Sequence, residues 1–161
     1  MSKKQIASVG ALAKASVPST ASAAATILAV SGAGFVVPTA AQKRNILVAL
    51  AKANKVVYGR AYDIIKIRGK TKINLSNAGD VEKNIDRIQI YEIKSTNRSL
   101  DSTFEGYFFS LSTAELLVAQ SLGPRFKFVF VNITTQTFVE LTLAGILRRT
   151  KAIYPSWSIR F

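Results

Sequence analysis

The amino-acid sequence predicts a mixed α/β domain built on one sheet, and two kinds of pattern carry that prediction. Capping boxes at residues 39–42 and 112–115 each begin an apolar repeat of helical spacing. Residues 87–95 and 126–133 instead follow the two-residue repeat of strands. The order of helices, strands, a helix and further strands favours helices packed on a single sheet. A chain of 161 residues that is 48% apolar suits one compact domain.

The first 38 residues are rich in Ala, Ser, Thr and Gly, and we expect them to form an N-terminal helical segment before a domain at 39–161. Helices are predicted at 4–16 and 19–30, the second ending at the glycines of 31–34. A targeting or flexible arm is the alternative, because two early lysines and a later apolar run loosely imitate a secretory signal. That apolar run is too short and too interrupted to cross a membrane. We therefore predict no membrane partner.

The segments from residue 39 to residue 95 are predicted from their spacing. A helix follows the first capping box and extends to residue 54, and a strand is expected at 62–67. Residues 68–86 are polar and predict a long loop or hairpin tip. In the strand at 87–95, Glu92 and Lys94 continue the face that begins with Ile88 and Ile90.

The remaining segments complete the sheet. We predict a short strand at 107–109, a helix from the second capping box to the Gly-Pro at 123–124, a strand at 126–133, another at 137–143, a short helix at 144–149 and a final strand at 157–161. Phe126, Phe128 and Phe130 share one face of their strand, and we expect them to be buried sheet core rather than a surface for stacking on bases.

The chain contains no His and no Cys, which excludes several kinds of catalytic site. A Ser-His-Asp triad, a thiolate nucleophile, a disulfide framework and an ordinary structural zinc site are all impossible without these residues. Catalysis would have to come from carboxylates, Lys, hydroxyl groups or a hard metal ion held by oxygen. No motif supports a Ser-Lys pair.

The charge balance points to a polyanionic partner. The chain has 22 Lys and Arg against 9 Asp and Glu, a net charge of +13. Nucleic acid is the commonest partner of such a domain, although an anionic membrane surface would be attracted by the same positive charge. Residues 1–62 carry eight basic residues and no acid, so every carboxylate side chain lies at or after Asp63.

The tripeptide Glu92-Ile93-Lys94 is the candidate for chemistry. Charges that continue an apolar strand face need an explanation, because burying a charge is costly unless it is paired or binds a metal. Asp63 lies in the other isoleucine-rich strand, and adjacent strands would bring it to Glu92. Two carboxylates and a backbone carbonyl make an oxygen site that suits Mg²⁺. The alternative is a simple ion pair where the strand reaches solvent.

Four segments together resemble the PD-(D/E)xK nuclease superfamily, and within it the type II restriction endonucleases and related restriction-type nuclease domains. They are Tyr62-Asp63-Ile64, the run from Tyr91 to Thr96, the run from Phe108 to Ser112 leading to Glu115, and the strand at 126–133. The resemblance covers residues 40–133. It implies a restriction-endonuclease-like mixed central sheet flanked by helices.

The resemblance also implies an activity and a site. Asp63 and Glu92 would bind Mg²⁺ with the Ile93 carbonyl, and Lys94 would orient or activate the attacking water. The implied protein is a cytoplasmic, Mg²⁺-dependent endonuclease of double-stranded DNA, acting as a homodimer. The sequence departs from the family pattern in three ways: no Pro precedes Asp63, the gap of 29 positions to Glu92 is long, and the helix before the first strand has Gln42 and no acid. The number of metal ions therefore stays open.

Other acids and several cations are further candidates. Asp80, Glu82 and above all Asp86 are alternatives to Asp63 as the first ligand. The residues expected to contact DNA phosphates are Lys70, Lys72, Arg98, Arg148, Arg149 and Lys151. Two other functions remain open: a structure-specific nuclease similar to Holliday-junction resolvases, and a nucleic-acid-binding protein without enzymatic activity.

Overall fold

The computed structural model describes residues 20–59, 61–70 and 72–154. Its helices are α1 (Thr20–Val30), α2 (Ala40–Lys52), α3 (Ala78–Lys83), α4 (Thr113–Leu122) and α5 (Leu143–Arg149). Its strands are β1 (Phe35–Val36), β2 (Ile64–Ile67), β3 (Ile88–Thr96), β4 (Phe126–Asn132) and β5 (Thr137–Leu141). Short 3-10 turns lie at Ile85–Arg87 and Gly123–Arg125. The helix predicted at 4–16 and the strand predicted at 157–161 lie outside the described residues.

The strands form one five-stranded sheet in the order β1-β2-β3-β4-β5. The pairs β1–β2, β2–β3 and β4–β5 are antiparallel, whereas β3 and β4 are parallel. A parallel pair needs a crossover connection, which here contains α4. The predicted mixed α/β class, a mixed central sheet flanked by helices, is confirmed.

The larger core lies on the face of the sheet that α2, α3 and α4 cover. Phe126, Phe128 and Phe130 are buried there, as the sequence predicts, and Ile46 of α2 and Val118 of α4 pack into the same cluster. The two capping boxes form as predicted and fix where α2 and α4 begin. This core holds β3 and the first turn of α4 in fixed relative positions.

The opposite face of the sheet carries a smaller core beneath α1. Ala24 and Leu28 are fully buried in it and belong to one cluster with Ile93, Val129 and Val131. The helix predicted at 19–30 is therefore confirmed, and it packs directly on the strand that carries Glu92 and Lys94.

Beyond the small core, the same face carries a polar cluster centred on Glu140 of β5. Lys66 and Lys127 both donate hydrogen bonds to its carboxylate, the second at 3.3 Å. The Tyr91 hydroxyl donates a third at 2.8 Å. This Glu140 cluster connects four neighbouring strands. Lys66, Lys127 and Glu140 remain partly exposed to solvent, whereas Tyr91 is buried.

Two predicted elements are wrong. Residues 68–86 are not a continuous loop, because they contain α3, which begins at the cap residue Asn77 and buries Val81. The helix was not predicted because its sequence is mostly polar and Val81 is its one buried residue. Residues 107–109 are not a strand, because Tyr107 and Phe109 pack their rings inward instead of pairing in the sheet: the ring centroid of Phe109 lies 4.8 Å from that of Phe130. Strand β1 was not predicted, since two residues give no repeat to recognise.

We expect α1 to be part of the cooperative fold. Replacing Leu28 by Ala would leave a cavity under the helix and lower the free energy of unfolding by roughly 2–5 kcal/mol. The matched control is Val30→Ala at the end of the same helix, where the side chain is 77% exposed. Urea unfolding followed by circular dichroism measures both changes. Equal effects of the two substitutions would contradict the packing described for α1.

Candidate active site

Four charged side chains from three elements meet at the edge of the larger core. Asp63 comes directly before β2, Glu92 and Lys94 lie in β3, and Glu115 lies in the first turn of α4. We call these four residues the acid–lysine cluster. The structure thus brings together the three predicted site residues and adds a carboxylate.

Asp63 is fixed to β3 by two hydrogen bonds. Its backbone N–H donates to the Tyr91 carbonyl at 2.9 Å. Its carboxylate Oδ2 accepts the Ile93 N–H at 3.0 Å. Because the N–H and C=O of one strand residue face the same neighbouring strand, the Ile93 carbonyl also lies on the Asp63 side of β3. The carbonyl that the sequence predicts as a ligand therefore faces the predicted carboxylate.

Lys94 is held between two carboxylates. Its ammonium Nζ lies 3.2 Å from Glu92 Oε1 and 2.9 Å from Glu115 Oε2. The side chains of all three residues are largely buried, with exposed fractions of 11–13%. The position of the ammonium is therefore determined by β3 and α4 together.

Glu115 reaches Lys94 because it also closes the capping box of α4. Its N–H donates to Ser112 Oγ at 3.2 Å, and its Oε2 accepts the Ser112 N–H at 3.0 Å. A capping-box carboxylate turns back toward the start of its helix, which here faces β3. The sequence predicts the capping box but not this second role of Glu115. The signal available was a capping-box Glu at the start of the crossover helix that follows the Glu-x-Lys strand.

Burial and the neighbouring Asp63 and Glu115 carboxylates together raise the pKa of Glu92 to about 8, against the opposing effect of the Lys94 charge. Four ionised groups would give the acid–lysine cluster a formal charge of −2 inside a chain of net charge +13. At neutral pH Glu92 therefore retains a proton, unless another cation compensates its charge.

The residues fit a magnesium ion in the chemistry of their donors. Asp63, Glu92 and the Ile93 carbonyl offer oxygen alone, and Mg²⁺ is commonly held by one or two carboxylates with water and substrate phosphate as the other ligands. Within residues 20–59, 61–70 and 72–154 no group of three or more His, Cys, Asp or Glu side chains is arranged to hold a metal ion. An ion at this site would accordingly depend on ligands that the substrate and solvent supply.

The three alternative acids have other partners. Asp86 pairs with Arg125 at 2.7 Å, and its side chain is 90% exposed. It lies before the first residue of β3, far from Glu92 along the strand. Asp80 accepts the Asn74 N–H at 2.6 Å, and Glu82 pairs with Lys52 at 2.6 Å. None of these contacts brings the three acids to Glu92, so Asp63 is the better candidate for the first ligand.

The six cations predicted to contact DNA are all exposed. Arg98 follows the end of β3 near Lys94, and its carbonyl accepts a hydrogen bond from Asn132 at 3.0 Å. Lys151 pairs with Glu105 at 2.6 Å, in the segment between β3 and α4. The other four are Lys70 and Lys72, after the end of β2 that is remote from Asp63, and Arg148 and Arg149, at the end of α5.

A fifth charged residue, Lys43 of α2, lies beside the cluster and was not among the predicted site residues. Its ammonium donates to the Tyr62 carbonyl at 3.0 Å and lies 4.9 Å from the centre of the Tyr62 ring. Tyr62 precedes Asp63, so Lys43 fixes the approach of the chain to the site. The available signal was a lysine one turn inside a helix that immediately precedes the Asp63 strand.

No protein-family model, curated protein or solved structure matches this chain. The described helices include none with the length and apolar character needed to cross a membrane.

We expect stability to report the state of Glu92. In metal-free buffer its folded pKa of about 8 exceeds the ordinary value of 4.5. The folded state therefore binds the proton more tightly, and the free energy of unfolding falls as pH rises from about 5 to 9. Glu92→Gln removes that fall and should be more stable than the wild type at pH 9, by about 1–4 kcal/mol, and similar to it at pH 5.

Urea unfolding at both pH values measures this difference. Glu82→Gln, which changes an exposed carboxylate on α3, is the control and should leave the pH dependence unchanged. The same pH dependence in wild type and Glu92→Gln would contradict the raised pKa.

Proposed function

We propose that this protein is a Mg²⁺-dependent endonuclease that hydrolyses phosphodiester bonds in double-stranded DNA. The observation that supports the proposal is the convergence of Asp63, Glu92 and Lys94, with the Asp63 carboxylate on the Ile93 N–H at 3.0 Å. Asp63 and Glu92, which are 29 positions apart in the sequence, come together at β3. A simple surface ion pair of Glu92 and Lys94 would need neither Asp63 nor Glu115.

The proposed reaction uses the residue types that this chain has. A water oxygen forms a bond to phosphorus, the bond from phosphorus to the leaving sugar oxygen breaks, and that oxygen takes up a proton. Held by Asp63, Glu92 and the Ile93 carbonyl, Mg²⁺ would neutralise charge on the phosphate and lower the pKa of the attacking water. Neither His nor Cys is required.

Lys94 is the positively charged side chain of the acid–lysine cluster. Its ammonium has three N–H donors; two contact Glu92 and Glu115 and limit its movement, so the third can donate to a phosphate oxygen or to the attacking water. A donor whose position is fixed in advance stabilises developing charge without reorganisation during the reaction. Asp63 is held in the same way by the backbone of β3.

The substrate and assembly follow from charge and symmetry. A net charge of +13 favours binding to DNA in a salt-dependent manner. One site cuts one strand, so a homodimer with two-fold symmetry would cut both strands of a palindromic sequence. The proposal is a homodimeric enzyme of the type II restriction class, and the cytoplasmic location is what the resemblance implies.

We expect Lys94→Ala to lower the rate of DNA cleavage by about 100-fold or more, because the ammonium acts on the reacting groups. Asp63→Asn, which keeps an acceptor for the Ile93 N–H, should give a comparable loss. Lys52→Ala removes the same charge from an exposed ion pair on α2 and should cleave normally. The assay digests methylated and unmethylated genomic DNA with Mg²⁺, with EDTA as the blank, and sequences the fragment ends.

Ends at one short sequence would support the restriction type. Absence of cleavage by the wild type on every DNA tested, or full activity of Lys94→Ala, would overturn the proposed activity.

Glu115 should act as a positioning residue. Glu115→Gln retains a capping-box acceptor for Ser112 but removes a negative charge from Lys94. We expect about 10-fold slower cleavage from a less fixed ammonium, with little change in the free energy of unfolding. Loss of a neighbouring carboxylate should also lower the pKa of Glu92, which is readable in the pH profile of unfolding. Unchanged cleavage and an unchanged pH profile would exclude this role.

A further inference from the structure

Phe108 is held in solvent between two rings that pack inward. Of the eight phenylalanines that the structure describes, Phe108 is the exposed one, with 69% of its surface accessible. The rings of Tyr107 and Phe109 stack on each other at 5.6 Å between centroids, so they lie on the same side of the segment. Phe108 points the other way.

The segment that carries Phe108 is fixed next to Lys94. The Tyr107 hydroxyl donates to the carbonyl of Ser95, the residue after Lys94, at 2.7 Å. The Phe109 ring meets Phe130 at 4.8 Å, and Phe130 is the β4 residue paired in register with Lys94. Phe108 therefore has a defined position beside the acid–lysine cluster.

A second exposed ring comes from the segment that follows α5. Tyr154 is 71% exposed, and its ring centre lies 6.2 Å from that of Phe108, with 53° between the ring planes. Lys151 ties this segment to Glu105 at 2.6 Å. We call Phe108 and Tyr154 together the aromatic platform.

The platform combines apolar rings with cations. Leaving a large apolar side chain in water forgoes about 1.5–3 kcal/mol relative to burying it. Arg98 lies on the Phe108 segment, and Arg148, Arg149 and Lys151 precede Tyr154, all of them exposed. Single-stranded nucleic acid matches such a surface, because its bases stack on aromatic rings and its phosphates pair with cations.

We propose that Phe108 and Tyr154 stack on an unpaired base of the DNA strand whose phosphate lies at the acid–lysine cluster. The inference rests on the proposed nuclease function for the place of that phosphate. Bases inside an intact duplex already stack on each other, so the base that occupies the platform is unpaired or extruded. The proposed double-stranded substrate would therefore have a base beside the cleaved bond that is extruded from the duplex or already unpaired, as at a flap or a bulge.

Binding in EDTA tests the platform without cleavage. Fluorescence anisotropy compares a labelled single strand, an abasic strand of the same length and a blunt duplex. Wild type should bind the single strand more tightly than the abasic strand. Phe108→Ala should weaken binding to the single strand by about 5- to 100-fold and leave binding to the abasic strand unchanged. Tyr154→Ala should change binding in the same direction.

Two further variants complete the test. Phe108→Trp should retain base-dependent binding, because it keeps an aromatic face at the same position. Tyr58→Ala removes another exposed aromatic ring, between α2 and β2, and should not change any of the three affinities. Equal loss of affinity for the single and abasic strands in Phe108→Ala, or no loss for either, would overturn the proposal.

A protein partner is the other outcome of the test. If sedimentation shows that Phe108→Ala converts a dimer to a monomer while base-dependent binding persists, the rings form an interface between copies and the proposal is wrong.

Failure of the proposed nuclease function would give a different result. Wild type would then cleave no DNA, yet Phe108→Ala would still lose affinity for bases. If wild type cleaves but Phe108→Ala neither loses that affinity nor changes its preference between flapped and blunt DNA, only the platform fails.

Discussion

The hydrogen bond between the Ile93 N–H and the Asp63 carboxylate is the contact on which the candidate site depends. It forms where the β2–β3 ladder ends, because Ile64 pairs with Tyr91 and leaves Asp63 beside the next residues of β3. A slip of one residue in that register would move Glu92 and Lys94 to the face beneath α1. The apolar residues of β3 prevent the slip, since their two sets fill two different cores. The position of the carboxylates is thus decided by burial of residues that have no chemistry of their own.

Sequence patterns predicted the parts of the site that follow from a local repeat. The two-residue period of a strand places Glu92 and Lys94 on one face, and the isoleucines around Asp63 indicate a neighbouring strand. Glu115 could not be placed in this way, because its contact with Lys94 depends on where the crossover helix begins relative to β3. The capping box fixes the start of α4 along the chain, and the sheet pairing fixes it in space.

The same distinction explains the elements that were predicted wrongly. Helix α3 is held chiefly by the burial of Val81 in the larger core, a tertiary contact, whereas local composition favoured a loop. The aromatic residues at 107–109 have high strand propensity, but they pair with none of the described strands. Their inward rings satisfy the larger core instead. That arrangement leaves the Phe108 ring exposed to solvent. A run of three aromatic residues does not show which of the three will be exposed.

Two carboxylates on opposite faces of the sheet, Glu140 and Glu92, differ in how far nearby lysines compensate their charge. Burial alone would raise the pKa of Glu140, but hydrogen bonds from Lys66 and Tyr91 and the charges of Lys66 and Lys127 outweigh it and lower the pKa. Its charge is already compensated, and a metal ion would have to displace an ammonium. Glu92 has the opposite balance, because burial and two neighbouring carboxylates exceed the single lysine and raise its pKa to about 8. Two lysines thus compensate Glu140, whereas the acid–lysine cluster has one lysine for three carboxylates, and the Mg²⁺ and phosphate of the proposed function would bind there.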